Sequence, residues 1–168
     1  MNIMKAIVAV SQNWGIGHNN DLLYNIPEDK KFFRRTTLGK VVIMGRKTLM
    51  SMPGSKPLKD RTNIVFTRDE DFNAEGVTVC NDIHDLPALI KDHPDDDVFV
   101  IGGEEIYNAL LPFCDTIYVT KIKDVKPADK FFPDLDSLCE WKMTDCSEEA
   151  DYDGIKYQFC TYTNIAPM

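Results

Sequence analysis

The sequence predicts an α/β fold: one domain over residues 1–168, a largely parallel mixed β-sheet flanked by helices. Three features predict it. Short apolar runs rich in Val and Ile recur along the chain, mostly continuous rather than alternating, which suits strands covered on both faces. Segments with helical spacing lie between these runs, the alternation that builds parallel sheets. The last third breaks this rhythm, with two strand-like runs and no helix between them, so a C-terminal antiparallel hairpin should close one edge.

"IMKAIVAV" (3–10) is the first strand. "SQNWGIGHNNDLLYN" (11–25) then reads as a long loop. Loops beyond about twelve residues are often lids or binding segments, an ordered surface connection being the alternative. Pro27 opens a helix over 27–36, in the stretch "LLYNIPEDKKFF". Phe32 and Phe33 lie three and four residues beyond Asp29, so the acid shares a face with whichever ring turns inward. Glu28 and Asp29 could simply complement the helix dipole. An acid set against the apolar side could instead serve a ligand.

"KVVIMG" (40–45) is the second strand and 46–52 the next helix; "TNIVFT" (62–67) and "VTVC" (77–80) are strands. A helix is expected over 83–91, and "KDHPDDD" (91–97) reads as a surface turn before the strand "DVFVIGG" (97–103). The helix over 104–111 carries Ile106 with Leu110 and Tyr107 with Leu111 at helical spacing. "TIYVTKI" (116–122) follows, then the hairpin strands "EWKMTDCS" and "GIKYQFCTYT", joined through Asp153 and Gly154.

A chain of 168 residues can bury a sizeable core without staples. Its 43% hydrophobic and 27% charged residues are ordinary for a globular protein. The net charge of −8 argues against nucleic acid or an anionic membrane as the main partner, so any bound anion needs a local basic cluster. "MNIMKAIVAV" lacks the apolar core of a signal peptide, and no segment reaches membrane-span length. The cytoplasm is therefore the expected location. The five cysteines are odd in number with no CxxC pair, and read as small buried hydrophobes in a reducing compartment. His18, His84 and His93 show no ligand spacing, so no metal site is expected.

Ligands of open α/β sheets collect at the carboxyl ends of strands, beside helix N-termini. Two such junctions carry glycine. In "VVIMGRKT" a strand ends at Gly45 and a helix opens with Arg46, Lys47 and Thr48; in "VFVIGGEEIY" Gly102 and Gly103 lead into a helix. Neither is a standard motif. Strand formers fill the gap between Gly39 and Gly45, against a P-loop, and no helix directly follows Gly15 and Gly17, against a Rossmann fingerprint. Paired glycines can also be a mere turn device. Two junctions and a basic cluster in an acidic chain favour a dinucleotide, and Arg46 and Arg68 could clamp a phosphate monoester between them.

These pieces together resemble the dihydrofolate reductase family, in that family's order and over nearly the whole chain. They are "AIVAVSQNWGIGHNNDLLYNIPEDKKFF", "GKVVIMGRKT", "PLKDRTNIVFTR", "VFVIGGEEIYNALLP", "TIYVTKI" and "ADKFFPD". The resemblance implies NADPH-dependent reduction of 7,8-dihydrofolate by a cytoplasmic monomer, with antifolates as inhibitors. It implies that Asp29 holds the pterin, with Thr120 as its hydrogen-bonding hydroxyl. Leu22 and Tyr24 complete the catalytic set. Ile7, Lys30, Phe33, Leu58 and Ile101 would enclose the substrate, and Arg61 would grip its glutamate carboxylate.

For the cofactor it implies Arg46, Lys47, Thr48, Thr67 and Arg68 around the adenosine phosphate. Gly102, Gly103, Glu104, Glu105, Ile106 and Tyr107 match the second junction, and Ala9, Ile16, Gly17, Asn20 and Leu22 the first strand and lid. Two positions depart from the family's pattern. Tyr24 stands where the family usually has Trp, although a phenol can also hold the ordered water found there. Lys30 replaces a usually apolar residue, and its stem can line a pocket while the ammonium reaches out. Two rivals stay open at this point: a pyrimidine reductase of similar fold, and a non-catalytic nucleotide-binding module.

Overall fold

The computed structural model describes residues 3–166. In chain order the first strands are β1 (Met4–Val10), β2 (Gly15–His18) and β3 (Asp21–Leu22), followed by helix α1 (Pro27–Thr37). Next come β4 (Val41–Gly45), α2 (Arg46–Ser51), β5 (Thr62–Phe66), β6 (Val77–Cys80), α3 (Leu86–Ile90), β7 (Val98–Gly102) and α4 (Glu104–Leu110). The rest is strand: β8 (Cys114–Ile122), β9 (Lys130–Phe131), β10 (Trp141–Cys146), β11 (Ala150–Tyr152) and β12 (Ile155–Asn164).

The main sheet runs β10-β12-β8-β1-β7-β4-β5-β6, with β11 against β12. Neighbours from β8 to β6 pair parallel, as the alternation of strands and helices predicts. β12 pairs antiparallel with both β8 and β10, so the C-terminal edge is antiparallel as expected. The continuous apolar runs have a direct cause. Alternate side chains of a strand face opposite sides, and β4 sends Val41 and Ile43 into the larger core while Val42 and Met44 join Leu49 and Val65 on the other face.

Three expectations need correction. Residues 11–25 are not an unstructured loop: β2 pairs with β3, and with β9 from more than a hundred residues downstream, in a separate three-stranded sheet. Gly15 permits this packing, since a Cβ there would lie 2.9 Å from both Ala128 and the Ser11 hydroxyl. The helix expected over 83–91 begins as a 3₁₀ turn at Ile83–Asp85, and only Leu86–Ile90 is α-helical. Of the five cysteines, Cys80, Cys114 and Cys160 are buried, but Cys139 and Cys146 are exposed, one beside a turn and one at the end of an edge strand.

Candidate active site

The parallel register fixes where chemistry can occur. Met44 of β4 pairs with Gly102 of β7, and Gly45 with Phe66 of β5, so both glycine junctions and the end of β5 share one edge. Beside them Ala9 of β1 pairs with Thr120 of β8. α1 lays its first turn across this edge.

Asp29 is tied to this edge through a strand rather than through its own helix. The Thr120 hydroxyl, buried in β8, donates to Asp29 Oδ1 at 2.6 Å. Among the described residues no backbone N–H of α1 bonds this carboxylate, and Ile26 gives α1 no side-chain cap. Burial pushes the Asp29 carboxyl above the ordinary range, and the Thr120 bond opposes that shift without cancelling it. A small cavity of about 30 Å³ opens between Asp29, Ala9, Ile16, Leu22, Leu23 and Tyr24. An acid held at a cavity wall can orient a polar cationic ring and favour its protonation.

The glycine junctions meet around α2 and α4. Gly102 has φ +132, a conformation for which glycine is suited, and a Cβ there would stand 3.6 Å from the Thr48 hydroxyl and 3.5 Å from the Tyr107 ring. Gly103 lies as close to Thr48, and the peptide between the two glycines is cis. The result is a bare backbone cradle beside the basic start of α2. Arg46 stacks over the Phe72 ring at 4.7 Å from its centroid and pairs with Asp69 at 3.2 Å. Arg68 and Lys47 are both exposed. Arg46 is fixed by a ring and an acid that follow β5, neither singled out in the sequence.

A family model described as dihydrofolate reductase matches residues 3–164. This chain belongs to the dihydrofolate reductase family. The dihydrofolate reductase of Bacillus subtilis is 35% identical over 161 residues, covering 93% of this chain and 91% of that protein. That of Staphylococcus haemolyticus is 36% identical over 165 residues, covering 95% and 94%. A solved dihydrofolate reductase from Enterococcus faecalis, complexed with NADP(H) and RAB-propyl, superposes with a TM-score of 0.84 at 32% identity over 96% of each chain.

Within this dihydrofolate reductase fold the remaining candidates fall into two groups. Ile7, Phe33, Leu58 and Ile101 are buried or half-buried around the same edge, Leu58 and Ile101 packing on the core below α2. Arg61 reaches α1: its Nε donates to the Thr37 hydroxyl at 3.0 Å and its guanidinium carbon lies 6.0 Å from the Phe33 ring centroid. Burial and the nearby Arg34 hold its pKa below the usual value. Thr67 is half-buried, with its hydroxyl accepting from the Asp69 N–H, while Asn20 and Glu105 are exposed.

Others are committed elsewhere. The Tyr24 hydroxyl donates to Asp124 Oδ2 at 3.0 Å, with the Lys126 ammonium over its ring, and burial pushes the phenol's pKa up. Tyr107 is buried and donates to the Ile7 carbonyl at 2.7 Å, behind the cradle rather than into it. Glu104 accepts from the Phe131 N–H at 2.6 Å and so ties the small sheet to the second junction. Ile106 packs against the core, and Lys30 is exposed beside Asp29. Asp124, Asp69, Thr37 and Phe131 escaped sequence reading because each acts through a partner distant in the chain.

The small sheet bearing Ile16, Gly17 and Leu22 stands over this edge, and Leu22 is 78% exposed. Residues 13–24 are expected to gain protection from hydrogen exchange when NADPH and a folate analogue bind together. Unchanged exchange in that segment would make it a fixed surface element.

Proposed function

We infer that this protein reduces 7,8-dihydrofolate to 5,6,7,8-tetrahydrofolate with NADPH, and that antifolates block it. The observation that carries this reading is a half-buried acid, Asp29, bonded by Thr120 at the wall of a cavity between α1 and the strand ends. A pyrimidine reductase, or a silent nucleotide-binding module, would give that pair nothing to hold.

The glycine cradle fits a dinucleotide, because its backbone lies bare where even a Cβ would touch Thr48 and Tyr107. Gly102, Gly103 and Thr48 would hold the pyrophosphate, and Arg46, Lys47, Thr67 and Arg68 the 2′-phosphate. When bound, NADPH supplies the hydride delivered to C6 of the pterin. Asp29 accepts from the pterin's N3 and 2-amino group, fixes the ring plane and favours the form protonated at N5. Thr120 holds that carboxylate in place. Ile7, Phe33, Leu58 and Ile101 exclude water from the rings. Arg61 pairs with the glutamate tail, as a planar guanidinium suits a carboxylate. Ala9, Ile16 and Leu22 would cover the nicotinamide.

Mixing the protein with NADPH and dihydrofolate tests the reading. Loss of the reduced-nicotinamide absorbance should require dihydrofolate and stop on adding an antifolate. Oxidation that ignores dihydrofolate would overturn it. We also propose a cytoplasmic monomer. No helix among the described residues is long and apolar enough to cross a membrane. A sedimentation mass of twice the chain would refute the monomer.

A further inference from the structure

Two cysteines of the antiparallel edge face each other. Cys146, at the end of β10, is the direct register partner of Cys160 in β12. Both are free thiols, and their sulfurs lie 2.7 Å apart. Opposed residues of antiparallel strands have Cα atoms about 4.5 or about 5.5 Å apart, and both spacings fall within the span a disulfide bridges. Cys146 is exposed to solvent. Cys160 is buried but forms part of the wall of an open cavity of about 350 Å³, shared with Phe32, Phe159, Asp145 and Ser147. None of the side chains that line this cavity lines the cavity at Asp29.

We propose that Cys146 and Cys160 are a reversible dithiol–disulfide couple that closes by exchange with a low-molecular-weight disulfide such as oxidised glutathione. The Cys146 thiolate attacks one sulfur of that disulfide, forming a mixed disulfide and releasing one small thiol. The Cys160 sulfur then attacks the Cys146 sulfur, its proton passing to solvent, and the second small thiol leaves. Two protein thiols are oxidised by two electrons in all, and one small disulfide is reduced to two thiols. Burial, and then the adjacent Cys146, push the Cys160 thiol up to about 12, so the exposed Cys146 opens the exchange. The closed bond fastens the edge strand to β12, whose Phe159 is the register partner of Thr120.

The full-length folded protein should be incubated with oxidised glutathione, alkylated and digested for mass spectrometry. The expected product is one cross-link joining the Cys146 and Cys160 peptides, lighter by two hydrogens and reversed by dithiothreitol. The melting temperature should rise by about 5 °C or more, the scale for closing a short loop. C146S should lose both effects, whereas C139S, which removes the exposed cysteine outside the pair, should keep them. A glutathione adduct on Cys146 that never resolves would overturn the proposal. So would a cross-link formed as readily in denaturant as in the folded protein, or one abolished by C139S. The wild-type mass measurement does not depend on any variant folding.

Discussion

Asp29→Asn is expected to lower dihydrofolate reduction at neutral pH by about 10² or more, the usual scale for losing acid–base assistance. The amide keeps nearly the shape of the carboxylate but not its charge, so the pterin loses the group that favours its N5-protonated form. NADPH affinity should stay within a few fold, because the cradle and Arg46 are untouched. Lowering the pH should restore part of the rate, since bulk acid can then protonate N5. Stability should move the other way. Burial raises the folded-state pKa of Asp29, so the fold favours its neutral form. That contribution is fully present below the unfolded pKa and is lost as pH rises through the folded one. The Asn variant should therefore melt higher than wild type at neutral pH, and the gap should close in acid. Near wild-type turnover in folded Asp29→Asn would remove Asp29 from the mechanism. An unchanged melting temperature at neutral pH would show that burial does not penalise the charge.

Arg46→Ala should weaken NADPH by about 1.5–3 kcal/mol, about tenfold to a hundredfold, while NADH binding stays nearly unchanged. Half-exposed and stacked on Phe72, Arg46 is held ready, and its ion pair with Asp69 adds little to stability at such a site. The melting temperature of the free variant should accordingly shift little. Asp69→Asn should act in the opposite sense, tightening NADPH slightly by removing an anion that competes for the guanidinium. Equal losses for both cofactors in Arg46→Ala would show that the arginine does not read the 2′-phosphate. Titration by quenching of intrinsic fluorescence measures both.

Helical spacing singled out Asp29, set against the Phe32–Phe33 side within a single turn, but left dipole complementation open, and its role came with the family resemblance. Sequence alone reached Gly45 and Gly102 because a strand end, a glycine and a helix start lie adjacent in the chain. Thr120 came only through the family resemblance. Its partner is 91 residues away, and a lone Thr in a strand looks like any β-branched filler. The small sheet stayed hidden for a similar reason. β3 and β9 are two residues each, too short for any periodicity, and their pairing with β2 is non-local. Arg46 is legible in the same way, from its place at a strand end and a helix start. Its holders Phe72 and Asp69 follow the neighbouring strand, and nothing in the order of the chain marks them as its partners.

The pairing of Phe159 with Thr120 makes the last strand a ruler for the acid's partner. Strand side chains alternate between faces, so a slip of one residue in β8 would turn the Thr120 hydroxyl away from Asp29. β8 is gauged from both flanks, by β1 through Ala9 and by β12 through Phe159. A chain cut within β11 would retain Asp29, Thr120, both glycine junctions and every arginine, yet lose one of its two gauges. Residues with no chemistry of their own thus decide whether the reactive pair can meet, and a fragment bearing the complete site would still be a poor enzyme until β12 was returned to it.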